Sequence, residues 1–215
     1  VERLLNLVHK LLTRNRIFFD RMAGVGAISA EDAIDWGFTG PCLRSAGVDY
    51  DVRTHAPYLF YDQVEFDVPV GTTGDNYDRY LCRLEEIRQS FRIIEQCFAA
   101  MEPGPVNIDD WTVILPPKED VYNSIEGMIA HFKLVMEGVH VPAGEVYSYT
   151  EAGNGELGYY IVSDGSGRPW RVKVRPPCFA LVQALGPMVK VRTPPLLSTT
   201  RSRRPCLLHR LSIMV

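Results

Sequence analysis

A chain of 215 residues, 46% hydrophobic and 23% charged with a net charge of -3, can bury a proper core and lacks the basic surplus that nucleic-acid binders usually carry. No apolar run approaches the roughly 18–20 residues that span a bilayer. Glu2, Arg3, Asn6, His9 and Lys10 interrupt the first leucines, so the start is not a secretory signal.

Cys42, Cys82, Cys97, Cys178 and Cys206 include no pair at zinc or iron–sulfur spacing, and an odd count fits reduced thiols. His9, His55, His131, His140 and His209 are scattered, with no metalloenzyme signature.

In chain order, Leu4, Leu5, Val8, Leu11 and Leu12 form the apolar face of a first helix. It begins at Val1 without a methionine or a cap, as expected of a fragment lacking its N-terminal part, or of proteolytic processing. Gly24-Val25-Gly26 has no third glycine and no strand–turn–helix context, which reads as a turn rather than a phosphate loop. Ser29-Ala30-Glu31-Asp32 caps a short helix through Trp36, and Gly37 ends it. Thr39 to Tyr61 reads as irregular.

An extended, turn-rich lead-in from Tyr58 to Gly74 then feeds a long helix capped by Asp75 and stopped by Pro103-Gly104. Tyr77, Tyr80, Leu84, Ile87, Phe91, Ile94, Phe98 and Met101 make one unbroken apolar stripe, so this helix is expected to be a beam in a bundle. A short strand is expected at Thr112 to Leu115. A second helix, roughly Val121 to Glu137, should turn Ile125, Met128, Ile129, Phe132 and Val135 or Met136 inward, with Gly138 closing it.

From Gly144 to Pro176 the period changes to two. Glu145 to Tyr149, Leu157 to Val162 and Trp170 to Arg175 alternate between turns at Gly153-Asn154-Gly155 and Asp164-Gly165-Ser166-Gly167, which predicts a three-stranded antiparallel meander. Arg171, Lys173 and Arg175 share one face of the last strand, as on an edge strand protected by charge. Cys178 to Val189 resumes a helical pattern. Val191 to Val215 is a basic tail with five arginines and no acid.

The fold class is therefore mainly α with a small antiparallel β meander (α+β). Two parts are expected: 1–190 as the body, and 191–215 as an atypical tail, disordered or translated out of frame.

Residues 12 to 190 resemble the 49-kDa, or D-type, subunit family of respiratory complex I, the NADH–quinone oxidoreductase. The blocks that carry the resemblance are ordered along the chain. They are Thr13-Arg14-Asn15-Arg16-Ile17, Ser29 to Ala33 with Gly37-Phe38-Thr39-Gly40, Leu43-Arg44, Tyr61 to Gly71, Gly74-Asp75 and Tyr77 to Tyr80. Glu156-Leu157-Gly158, Ser163 to Ser166, Arg168-Pro169 and Arg171 complete the series.

The resemblance implies a fold related to the large subunit of nickel–iron hydrogenases, a helical bundle with its N-terminal part missing here. It also implies membership of a proton-translocating translocase that oxidises NADH (the NAD-binding step lying in another subunit) and reduces quinone. The implied partners are other peripheral-arm subunits, above all a small iron–sulfur subunit whose 4Fe-4S cluster lies beside the quinone cavity. No cofactor is expected on this chain alone. The implied location is membrane-associated, on the cytoplasmic face of the bacterial inner membrane or the mitochondrial matrix side.

The histidine and tyrosine that the family offers to the quinone headgroup belong to an N-terminal segment, so no catalytic residue is assigned here. Glu151 sits where hydrogenases carry Glu-x-x-Arg-Gly, with Asn154 in the arginine position, and without cysteine pairs hydrogen activation is not expected. The candidates for a quinone cavity or proton relay are Glu151, Glu156, Arg171, Lys173 and Arg175; the first two are carboxylates whose burial would raise their pKa. Solvent-facing turn residues are the plain alternative for Glu151 and Glu156, and an acidic partner is another for the three cations. A structural scaffold of a hydrogenase-like complex, with no redox role, is the rival function.

Overall fold

The computed structural model describes residues 2–190; the basic tail and Cys206 lie outside the described residues. Those residues fall into two compact units. One takes in residues up to Ala100, Thr150–Leu157 and the chain from Arg175 on; the other is Met101–Tyr149 with Gly158–Val174.

The first unit starts with α1 (Glu2–Val8), which passes into a π-helical turn at His9–Thr13. Of its expected apolar face only Leu5 is buried, while Leu4 and Leu11 stay exposed. α2 (Arg16–Met22) begins at Asn15, whose side chain accepts from the Ile17 and Phe18 amides. Gly24 and Gly26 form the expected turn, both at positive φ. Ser29 caps α3 (Ala30–Asp35) by accepting from the Asp32 amide. Gly37, at φ 72°, then lets its own amide reach Ile34 O while that of Phe38 reaches Ala33 O, closing the end.

The stretch read as irregular holds two short helices, α4 (Pro41–Arg44) and α5 (Val52–His55). Four residues each is too short for a 3.6 period to register in sequence. Pro at the first turn starts α4, and the Asp51 side chain accepts from the Arg53 amide to start α5. The core of the unit joins α3 and α4 to α9 (Pro177–Gln183) and α10 (Leu185–Lys190) through Ile28, Ala33, Phe38, Cys42, Leu43, Ala46, Leu181, Ala184 and Met188.

The long helix, α6 (Asn76–Ala100), is capped as expected: Asp75 Oδ1 accepts from the Asp78 amide at 2.8 Å. Its stripe is only half buried. Phe18 and Phe19 of α2 meet Tyr80 and Tyr77 edge-on at 5.0 and 4.9 Å, whereas Ile94 and Phe98 further along are 44% and 70% exposed. The lead-in is pinned alongside by amides. Gln96 exchanges two hydrogen bonds with the Glu65 backbone (2.9 and 2.7 Å), and Gln89 accepts from the Asp67 amide.

In the second unit the strand expected at Thr112 to Leu115 is a turn, because Asp110 Oδ1 accepts from both the amide and the hydroxyl of Thr112. The single helix expected at Val121 to Glu137 is two, α7 (Lys118–Asn123) and α8 (Ile125–Met136), parted at Ser124. Ser124 is extended and its hydroxyl caps α8 at the Gly127 amide. The apolar face expected to point inward does not: Ile125, Phe132 and Val135 are 60–69% exposed. Periodicity marks a face that wants burial and does not say whether this stretch of chain supplies the cover.

The meander forms as expected, with β1 (Gly144–Ala152), β2 (Gly155–Ser163) and β3 (Arg171–Arg175) in that order. No helix among the described residues is long and apolar enough to cross a membrane.

Candidate functional site: a buried arginine–carboxylate network

Arg44 closes α4, and its side chain is 1% exposed. A cation at that depth needs partners, and three carboxylates surround it. Asp51, opening α5, lies 3.3 Å from Nη1; Glu151, at the end of β1, lies 3.0 Å from the same nitrogen. Glu86, on α6, accepts from Nε at 3.0 Å and from Nη2 as well. Nη1 also reaches the Tyr50 carbonyl at 3.1 Å.

Arg53 makes a bidentate pair with Asp51 at 3.0 and 2.7 Å, and its guanidinium lies 4.7 Å from the Phe66 ring centre. Tyr58 Oη accepts from the Glu151 backbone amide at 3.1 Å, and its ring packs edge-on against Tyr61.

The charges do not balance: two guanidiniums face three carboxylates. Ionising all three would leave one surplus negative charge in a desolvated cluster, so one carboxyl is under pressure to keep its proton. Glu151 is that carboxyl. Burial, with its side chain 4% exposed, pushes its pKa up, the nearby Asp51 charge adds to the push, and Arg44 opposes it. Burial acts the same way on Asp51, yet the Arg53 pair holds that carboxyl below its ordinary value. Burial pulls Arg44 down, and the charges of Glu86 and Glu151 more than restore it. Two acids on one arginine are thus driven apart, Asp51 below its ordinary value and Glu151 above it.

Of the five residues singled out in sequence, the structure brings Glu151 into this network. Glu156 contributes its backbone: its amide donates to Thr39 Oγ1 at 3.1 Å and its carbonyl accepts from Arg175 at 2.7 Å. Arg175 also donates to Thr39 Oγ1 and to the Gly37 carbonyl, so it ties Glu156 to the loop between α3 and α4. Arg171 and Lys173 are exposed and stand outside the network. Arg44, Asp51, Arg53, Tyr58 and Glu86 were not candidates in sequence. Glu151 is 107 residues from Arg44, and no local pattern records such a pairing. Among the described residues no group of three or more His, Cys, Asp or Glu could hold a metal ion.

The family model described as the respiratory-chain NADH dehydrogenase 49 Kd subunit matches residues 1–193. The chain belongs to this family. It is 63% identical to a D-type subunit of NADH-quinone oxidoreductase from Sorangium cellulosum over 187 residues, which is 86% of this chain and 46% of that protein. Over 182 residues it is 60% identical to the D-type subunit of Myxococcus xanthus, covering 85% of this chain and 44% of that one. A relative from Bdellovibrio bacteriovorus, whose name joins the C and D types, is 56% identical over 176 residues, 82% of this chain and 31% of its own length. The chain spans about half the length, or less, of the curated relatives it matches. The region matched by the 49-kDa family contains the whole Arg44 network.

Proposed function

We propose that this chain is the C-terminal portion of the 49-kDa subunit in a proton-translocating NADH–quinone oxidoreductase, residues 1–190 forming its body. It helps form the quinone reduction site in the peripheral arm. NADH is oxidised elsewhere in the complex, and electrons arrive through a 4Fe-4S cluster in the neighbouring small iron–sulfur subunit. The C-type component is a further partner, favoured by the joined C/D name of the Bdellovibrio relative. The place of work is the membrane surface, cytoplasmic in bacteria or on the matrix side in mitochondria.

The observation that carries this chain's own part is the charge-unbalanced network around Arg44. Reducing a quinone to a quinol takes up two protons, and a buried carboxyl with a raised pKa, facing a fixed guanidinium, can hold and release one. In this reading Glu151 is the exchangeable group, Arg44 and Glu86 set its charge environment, and Asp51 stays ionised. Glu156 and Arg175 position the turn between β1 and β2, beside Glu151. Arg171 and Lys173, exposed on β3, face an acidic partner surface.

The test is Glu151→Gln in the assembled complex. NADH oxidation by an artificial acceptor that bypasses quinone stays at wild-type rate, while quinone reduction and proton pumping fall together. Unchanged quinone reduction would overturn the relay. The exposed apolar faces of α6 and α8 favour a second reading, an interaction scaffold without redox work. That reading predicts instead that Glu151→Gln alters assembly and nothing else.

A further inference from the structure

Away from the Arg44 network, three buried side-chain nitrogens find no acceptor among the described residues: Asn76 Nδ2, Arg79 Nε and Arg83 Nη1. They stand at i, i+3 and i+7 on α6, hence on one helix face, within about 10 Å of axis. Asn76 is 0% and Arg79 1% exposed. The two arginines, one turn apart, meet only neutral acceptors. Arg79 donates to Asn76 Oδ1, Gly26 O and Gly74 O, each at 2.7 Å, and Arg83 Nη2 donates to Asn154 Oδ1 at 3.0 Å. Asp75, next in the chain to Asn76, spends its carboxylate on the amides of Gly24 and Asp78 at 2.7 and 2.8 Å.

Arginine cannot escape a desolvated site by shedding its proton, because even a lowered guanidinium pKa stays far above neutrality. Burial pulls Arg79 down; the nearby Cys42 and Asp75 oppose the fall without reversing it, and the like charge of Arg83 adds to it. One buried and one half-buried cation, each with a spare donor on the same helix face, are matched by an oxyanion, and the two oxygens of a carboxylate can each accept one charge-assisted N–H bond. We propose that Asn76, Arg79 and Arg83 form a binding site for a carboxylate, reached past the half-buried Arg83. The carboxylate is either a small free acid or an Asp or Glu side chain from another polypeptide segment. The site is independent of the Glu151 relay, with which it shares no side chain.

The test is a titration of the purified chain with sodium acetate against sodium chloride at matched ionic strength, read as melting temperature and as the NMR shifts of arginine Nε–H groups. Acetate is expected to raise the melting temperature saturably and to move the Arg79 and Arg83 signals. Arg83→Gln should weaken the apparent affinity by roughly tenfold or more, and Arg83→Lys less. Arg88→Gln, on an exposed side chain of the same helix, should leave the response unchanged. Repeating the titration while co-expressing the remaining half of the Sorangium protein separates the sources. Loss of the acetate response there means that this half supplies the carboxylate, and a retained response means a free acid. A wild-type chain whose response is unsaturable, or equal to that of Arg83→Gln with unmoved arginine signals, would overturn the site. If Arg83→Gln does not fold, the wild-type signals alone decide.

Discussion

Arg44 and Arg79 are the same side chain at the same depth, each 1% exposed, and they are solved in opposite ways. Arg44 is ringed by three carboxylates from three separate stretches of chain, whereas Arg79 is held by two backbone carbonyls and an amide oxygen. The first arrangement overcompensates the cation and pushes the pKa of one carboxyl up. The second undercompensates it and leaves donors without an acceptor among the described residues. Burial alone therefore says nothing about chemistry; the sign of the residual charge does.

Removing each arginine separates the two arrangements most sharply. Arg44→Ala leaves two buried carboxylates and the partly buried Glu86 against Arg53 alone, and chemical denaturation should show a loss of about 3–5 kcal/mol. Arg79→Met strands neutral acceptors only, one of which, Gly74 O, also accepts from the Ile28 amide. Its expected cost is smaller, about 1–3 kcal/mol. Equal losses would mean that the two arginines do not differ in this way.

The pH dependence differs as well. Asp51, held below its ordinary pKa, contributes stability above that value and loses it as pH falls through the lower folded one. Glu151 runs the other way: between its ordinary and its raised pKa the unfolded chain has lost a proton that the folded chain keeps. Stability therefore declines as pH rises through that window. Glu151→Gln should remove this decline in a pH series of melting temperatures, while Arg79→Met should leave it in place.

Much of the scaffold around the two arginines was legible locally. The caps at Ser29 and Asp75, the glycine stop at Gly37 and the alternation of the β strands are short-range physics, and each appears where the residues ask for it. α4 and α5 were not legible because single-turn helices leave no period, yet they carry Arg44, Asp51 and Arg53. The stripe on α8 was legible as a stripe and misleading about burial, since Ile125 and Phe132 remain exposed. Of the network, only Glu151 could be nominated in advance, through a resemblance; pairings 42 and 107 residues apart are written in the fold alone.

Smaller effects sharpen the picture of α6. Asp78 accepts from the Thr72 and Thr73 amides and the Thr73 hydroxyl at 2.7–2.9 Å, so Asp78→Asn should cost about 1 kcal/mol by weakening charge-assisted bonds. Cys82 is buried on the same helix, and burial with the Glu86 and Asp78 charges pushes its thiol up to about 11. Cys97, exposed near the helix end, should react with a thiol reagent in the native protein while Cys82 reacts only after unfolding.

The most direct test of the central claim follows the glutamate side-chain carboxyls by 13C NMR across a pH titration, in the wild type and in Glu151→Gln. One carboxyl that titrates above the ordinary glutamate range in the wild type and is missing from the variant is the result expected. If every wild-type carboxyl titrates at or below that range, Glu151 is merely an ionised partner of Arg44, and the proton-exchange role is wrong.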